Sequence, residues 1–341
     1  MKRPTIADIA DRAGVSRSAV SFALNDQPGV SEETRQRVLG VAAELGWRPH
    51  SAARALRGGR AGAIGLALQR PARLLGAEPF TMELISGLES ELSARSCGLN
   101  LQVVEDTEAE IATYRRWWAE HRVDGVIVLN LRDDDPRVAV LEDLHLPAVV
   151  IGGPAGTGAL PSIWSQDAAG MTDVVEYLAA LGHRRLAHVA GDPVMRHIVD
   201  RTAALHEVCR LRGLPEPVTV RADYSDEDSA QATRRLLASP ERPTAIIYHT
   251  DLTAVTGLEV ALEMGLSVPD ELSLIAFNDS RLCRLVNPKL TALAHDIPGR
   301  GAQAARMLFA AIDGERDAGS QPAEPYRLLP RGSTGPYRPS R

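Results

Sequence analysis

The stretch GVSRSAVSFALN, residues 14–25, decides how the amino-terminal end of the chain folds. Gly14 tolerates the left-handed conformation that closes a helix, and the Ser16 hydroxyl can accept from an unpaired amide at the start of the next one. A helix, a tight turn and a second helix therefore meet here. In the second helix Ala19, Val20, Ala23 and Leu24 share one side at helical spacing, while Arg17, Ser18, Ser21, Phe22 and Asn25 share the other. A phenyl ring thus sits among polar groups, and its partner has to be found. Upstream, Thr5 with Asp8 three residues on makes a variant capping box, and Ile6, Ile9, Ala10 and Ala13 form an apolar stripe. Downstream, a third helix opens at Ser31, is expected to bury Val38, Val41, Ala42 and Leu45, and stops at Gly46. The pattern predicts a three-helix domain over residues 1–48.

A chain of 341 residues exceeds what one compact core holds and implies two or three domains. No apolar run reaches the roughly 18 residues of a membrane span, and Met1-Lys2-Arg3 leads into the capped helix rather than a signal-peptide core, so a cytoplasmic location is expected. Cys97, Cys209 and Cys283 are odd in number and far apart, which supports neither a disulfide framework nor a zinc site. They read as core thiols. The formal charge of −6 is unevenly spread: residues 1–60 hold ten basic against six acidic side chains, +4, which leaves −10 for the rest. The basic segment is the one with the helix-turn-helix pattern.

HSAARALRGGRAG, residues 50–62, has room for a helix of two turns between a proline and a glycine pair. So short a helix is marginal in water, and residues 49–61 are read as a linker that orders only when something holds it. Beyond it, β-rich runs alternate with amphipathic helical stretches: 63–68, 99–104, 124–129 and 147–151, then 185–190, 244–248 and 273–277. Such alternation implies parallel sheets built from right-handed βαβ units, and two series imply two lobes. The first lobe is assigned residues 62–161 and 292–330, the second 162–291, with PKLTALAHD at 288–296 carrying the chain back. The tail at 331–341 is expected to be loose, after a possible last strand in YRLLP.

Ligands in open parallel sheets gather beyond the carboxyl ends of the strands. The polar residues there are Gln69, Arg70, Asn130, Asp192, His249, Thr250, Asp251, Asn278 and Asp279. Two of them have plainer readings, Asp251 as a helix cap and Asp192 as a turn residue before proline. Trp117 and Trp118 read as packing residues at the lobe surface, and Asp133-Asp134-Asp135 as a solvated loop without the spaced geometry of a calcium site. GGPAGTG at 152–158 lacks the Lys-Ser/Thr of a phosphate-binding loop, and neither G-x-S-x-G nor H-E-x-x-H occurs. No enzyme, cofactor or metal is expected.

TIADIADRAGVSRSAVSFALN, GVSEETRQRVLGVAAELGWRP and SAARALRGG follow one another in an order and spacing that resembles the lactose-repressor (LacI/GalR) family of bacterial transcription regulators. DGVIVLN, LGHRRLAHVAGD, RPTAII, SVPDELSLIAFND and NPKLTAL extend the likeness to about residue 313. The resemblance implies a homodimer with a helix-turn-helix domain, a hinge helix and a two-lobed, periplasmic-binding-protein-like effector domain. Two recognition helices would enter successive major grooves of a near-palindromic operator. On that reading Arg17, Ser18, Ser21 and Phe22 meet base edges, Thr5, Ser16, Asn25, Ser31 and Thr34 meet phosphates, and His50, Ala53 and Leu56 belong to the hinge contact, with Leu56 wedged into the minor groove.

Family members commonly carry Arg where Phe22 stands, and Phe cannot donate to guanine. Two readings follow: the ring packs on a thymine methyl or the DNA backbone, or it folds back onto the first helix. The resemblance also places Arg201 and Tyr224 in the effector cleft beside Gln69, Asn130, Asp192, Thr250 and Asn278, a guanidinium and an aromatic face that suit a sugar. The plainer reading pairs Arg201 with a surface carboxylate. Many sugar-responsive members show Asn-Asp where Thr250-Asp251 stands and Asp-Asp where Asn278-Asp279 stands, which leaves a nucleobase or other co-repressor as the alternative. A solute-binding protein would share the lobes but not residues 1–60. The leucine heptad of tetrameric relatives is absent, so dimers are expected.

Overall fold

A computed structural model describes residues 4–47, 59–70, 76, 78–223, 225–315 and 319–338. Two compact units emerge, Met1–Ala61 and Gly62–Arg341.

In the first unit the described residues form α1 (Ile6–Ala13), α2 (Arg17–Leu24) and α3 (Glu32–Glu44). The Thr5 hydroxyl accepts from the Asp8 amide while Asp8 reaches back to the Thr5 amide, and Gly14 closes α1 in the left-handed conformation. Ser16 and Ser31 cap the other two helices. Ile9, Ala10, Ala13, Val20, Ala23, Val38 and Ala42 make the core, with Val41 and Leu45 half-buried against it. Ile6, expected on the apolar stripe, is exposed. Arg35 donates to the carbonyls of Ala23 (3.3 Å) and Gln27 (2.9 Å) at the end of α2, so one of the ten basic side chains is spent inside the fold.

The second unit runs β1 (Ala63–Gln69), α4 (Pro79–Ala94), β2 (Gly98–Val104), α5 (Thr107–Ala119), β3 (Gly125–Leu129), α6 (Pro136–Asp143), β4 (Ala148–Ile151) and β5 (Ser162–Trp164). It continues with α7 (Asp167–Ala180), β6 (Leu186–Ala190), α8 (Arg196–Leu211), β7 (Val218–Arg221), α9 (Asp226–Leu237), β8 (Ala245–Tyr248), α10 (Asp251–Glu263), β9 (Ser273–Phe277), α11 (Leu282–Leu285) and β10 (Thr291–Ala294). Last come α12 (Ile297–Ile312), β11 (Gln321–Pro322) and β12 (Arg327–Leu329). The strands form two six-stranded sheets, β11-β5-β4-β3-β1-β2 and β12-β10-β9-β8-β6-β7, parallel except for β10 with β12. Leaving out the last strand of each, both sheets have the same order, with a switch point beside β1 and beside β6.

The lobe boundaries fall differently from the sequence reading. β5, assigned to the second lobe, pairs with β4 in the first sheet, and the chain crosses only at Ser165. β10 and β12, assigned to the first lobe, pair in the second sheet. Only α12 and β11 return to the first lobe: Ile297, Ala304, Ala305, Met307 and Leu308 enter its core. The chain thus crosses three times, near 165–166, 295–296 and 323–326. Short strands flanked by polar residues carry too little alternation to show which sheet they join.

The tail, expected to be loose, is stitched down as far as Tyr337. Ser333 donates to the Leu274 carbonyl (2.6 Å) and accepts from the Thr291 amide (2.8 Å), and the Tyr337 amide donates to the Leu181 carbonyl (2.8 Å). Small hydroxyls here satisfy backbone groups left open where β9 and β10 begin. Asp135 departs from the solvated-loop reading too: it is buried and held by Arg137, which also reaches Glu110 at 2.9 Å. Trp117 is core rather than surface, whereas Trp118 is exposed.

Candidate functional site

In the first unit the residues expected at DNA lie where solvent can reach them. Arg17, Ser18, Phe22 and Asn25 of the second helix are exposed and Ser21 is half-buried. The Asn25 amide donates to the Ser21 carbonyl (2.6 Å), and the Ser16 and Ser18 hydroxyls pair at 2.9 Å. Thr5, Ser16 and Ser31 sit at three helix N-termini, where unpaired amides attract anions, and Thr34 is bonded to Ser31. The Phe22 ring edge lies against Gly29, in the connection to the third helix, with 38% of the residue exposed. His50, Ala53, Leu56 and Tyr224 lie outside the described residues.

In the second unit the carboxyl ends of both sheets face a cleft of about 830 Å³, counted out to its open mouth. Of the residues expected there, Asn130, Arg201, Thr250 and Asn278 line it, with Arg70 and His249. Gln69 does not: its side-chain carbonyl is taken by Arg132 (2.7 Å) and Thr107 (3.3 Å). Asp192 does not either, because its carboxylate accepts from the Val194 amide and faces Arg221, as a turn residue would. Thr250, rather than Asp251, caps the helix that begins at Asp251, accepting from the Thr253 amide at 3.2 Å.

Arg201 is buried and its nitrogens are engaged. Nε donates to Asp167 (2.7 Å), one terminal nitrogen to the Tyr326 hydroxyl (3.2 Å) and the other to the His249 carbonyl (3.4 Å), while the guanidinium lies 3.9 Å over the Phe277 ring. Its carboxylate is an interior one, not the surface partner considered from sequence. Burial pushes the Asp167 carboxyl up, but Arg201, His197 and Ser165 outweigh it and hold the group at about 2.

The sequence reading missed the residues that complete the cleft: Glu78, Phe80, Ser165, Asp167, Arg196, His197, Asp200, His295, Arg300 and Tyr326. Several stand on the crossings between lobes, where no periodicity marks them; Pro79 at the head of a helix was the one available signal. Arg70 pairs with buried Glu78, and Arg196 with Asp200 (3.1 Å) and Asp133 (3.0 Å). His295 stacks on Phe80 and meets Tyr326 at a tilt of 51°, with ring centroids 6.4 and 4.9 Å away. Its Nδ1 lies 2.7 Å from an Arg300 nitrogen and its Nε2 2.9 Å from the Asn278 side-chain oxygen. Arginine can only donate, so Nδ1 accepts, the proton sits on Nε2, and Asn278 presents its oxygen. Burial first, then Arg300 and Arg201, keep His295 neutral by pushing its pKa well below the usual value. The lips meet across the cleft, where the Arg196 amide donates to the Leu131 carbonyl at 2.9 Å.

Such an arrangement presents guanidinium, amide and hydroxyl groups to one polar cleft. No group of side chains among the described residues could hold a metal ion. Among them, too, no helix is long and apolar enough to cross a membrane.

Residues 5–50 match the family described as bacterial regulatory proteins, lacI family, and residues 175–334 the periplasmic binding protein-like domain. The chain is 30% identical to the HTH-type transcriptional regulator AglR of Rhizobium meliloti (strain 1021), over 97% of this chain and 94% of that protein. It is also 30% identical to the HTH-type transcriptional repressor PurR of Escherichia coli O139:H28, over 98% of each. Among solved structures, the lac repressor dimer bound to operator and the anti-inducer ONPF superposes with a TM-score of 0.85 at 26% identity, covering 98% of this chain and all of that one. The complex of the transcriptional regulator CelR with cellobiose gives 0.74 at 27% identity over 97% of this chain and all of that one.

Proposed function

The chain belongs to the LacI family of bacterial regulatory proteins, and from that premise we propose how its two units divide the work. It is a transcriptional regulator rather than an enzyme, acting on operator DNA as a dimer under the control of a small molecule. Our reading is that the exposed face of the second helix, Arg17, Ser18, Ser21 and Phe22, reads base edges. Thr5, Ser16, Asn25, Ser31 and Thr34 grip phosphates, and His50, Ala53 and Leu56 join from the hinge segment. We read the protein as cytoplasmic, because its work is on DNA.

The observation that carries the rest of the proposal is the cleft: two sheets of one topology turn their carboxyl ends toward one polar space. A sugar-like effector seated there contacts Asn130, Arg201, Thr250 and Asn278, and its preference for one lobe arrangement changes how the paired hinge segments order on DNA. A coupling of about 1–3 kcal/mol gives a 5- to 150-fold change in operator affinity. The CelR–cellobiose and lac repressor–ONPG structures pair similar regulators with sugar-like compounds, which supports a sugar-like effector in this cleft.

Two measurements test this. Fragments selected from a random pool should be retained more tightly than bulk competitor, with affinity falling steeply as salt rises; equal retention of every fragment overturns the proposal. Leu56→Ala should weaken operator binding about tenfold or more while leaving ligand binding intact, because a minor-groove wedge acts only on bent DNA. Unchanged operator affinity would remove the hinge from the mechanism.

A further inference from the structure

Three arginines of the cleft are matched to carboxylates, Arg70 with Glu78, Arg201 with Asp167, and Arg196 with Asp200. Arg300 is not. It is only 7% exposed, lines the same cleft, and has no carboxylate within ion-pair distance among the described residues. One terminal nitrogen donates to His295 Nδ1 at 2.7 Å, and its Nε has no acceptor among the described residues. The nearest acid in sequence, Asp296, is occupied at the helix N-cap, accepting from the Gly299 amide at 2.8 Å. A guanidinium withdrawn from water without a counter-charge, and with an orphaned donor, is costly unless something else supplies the acceptor.

We propose that Arg300 receives an anionic oxygen group, a carboxylate or a phosphate, carried by the ligand of this cleft, so that the effector is an acidic polyol rather than a neutral sugar. The inference rests on the reading of the cleft as the effector site and narrows it. The surroundings of Arg300 are built to hold it for this task. His295 accepts from it with its only free lone pair, Asn278 fixes the His295 tautomer from the other side at 2.9 Å, and Phe80 and Tyr326 pack against the imidazole. The guanidinium therefore cannot swing toward another partner without breaking a chain of three side chains. Its remaining donors suit the two-oxygen edge of a carboxylate or phosphate, whereas Asn130 and Thr250 are left to meet hydroxyls. Among the charged side chains lining the cleft, four arginines face three carboxylates, Glu78, Asp167 and Asp200, and none of the three is paired with Arg300.

Calorimetric titration of the full-length protein with matched acid and neutral probes tests the proposal. The pairs are D-gluconate with D-glucitol, D-galacturonate with D-galactose, and D-glucose 6-phosphate with D-glucose, all at low ionic strength. At least one acid should bind roughly 10- to 100-fold tighter than its neutral twin. Arg300→Leu should erase that difference, Arg300→Lys should restore part of it, and Arg300→Gln, which keeps a donor and adds no bulk, should behave as the leucine variant does should the latter fail to fold. A carboxylate source and a phosphate source are told apart by which acid is preferred. Neutral members binding as well as the acids, no acid binding at all, or an acid preference that survives Arg300→Gln would overturn the proposal. A neutral sugar that binds and releases operator DNA would overturn it while sustaining the effector reading; operator affinity indifferent to every probe, acid or neutral, would overturn both.

Discussion

The phenyl ring of Phe22 is held from behind by Gly29, whose φ of 120° suits glycine and whose missing side chain makes room, since a Cβ there would stand 3.2 Å from the ring. One edge of the ring is thereby fixed and the remainder points outward beside Arg17, Ser18 and Asn25, as a groove-facing aromatic would. Phe22→Arg should shift the sequences selected from a random pool toward guanine at one step of each half-site; an unchanged consensus would mean that the ring never meets a base. At this scale the sequence was legible where one face of a helix had to be polar, and less so where side chains meet across long separations. Arg300 and Asn278 both touch His295, yet nothing in the spacing of PKLTALAHDIPGR marks the trio.

Pro79–Ala94 and Ile297–Ile312 cross with their backbones touching, and two glycines permit it. A Cβ on Gly87 would stand 1.9 Å from the Pro298 carbonyl oxygen, and one on Gly301 2.3 Å from that of Leu84. These helices begin beside Glu78 and Phe80 on one side and carry Arg300 on the other, so the crossing distance sets the width of one wall of the cleft. Gly301→Ala should push the helices apart, cost about 1–3 kcal/mol in denaturant unfolding, and weaken ligand binding through displacement of Arg300. Wild-type stability and affinity together would show that the contact is slack. The elements themselves were readable: all seven strands anticipated from β-rich runs are present within a residue or two of their expected ends. The strands that were missed or misassigned, at 162–164, 218–221, 291–294, 321–322 and 327–329, have four residues or fewer, and so short a run carries no alternation to show which sheet it joins.

For the molecule as a whole, acid should act through histidines before it reaches the ion pairs. His188, fully buried with neither ring nitrogen bonded to any described residue, is pushed down to about 3, first by burial and then by His249; His249 is itself held at about 4 by burial. An unfolded chain takes up these protons near the ordinary value of 6.5 and the native one refuses them, so stability is complete above that pH and declines as pH falls below it. The decline is about 1.4 kcal/mol per pH unit for each such histidine. Urea midpoints at pH 7.5 and 5 should therefore differ, and His188→Leu should remove one histidine's share; a flat profile would contradict the burial. The Asp167–Arg201 pair works in the other window, adding stability above the ordinary carboxyl value of 3.8 that is lost only as pH falls toward 2.

The triple crossing also has a mechanical meaning. Ser165, His295 and Tyr326 stand on the three strings that tie the lobes, and all three line the binding space. A guest touching them touches the same three segments that join one half of the unit to the other.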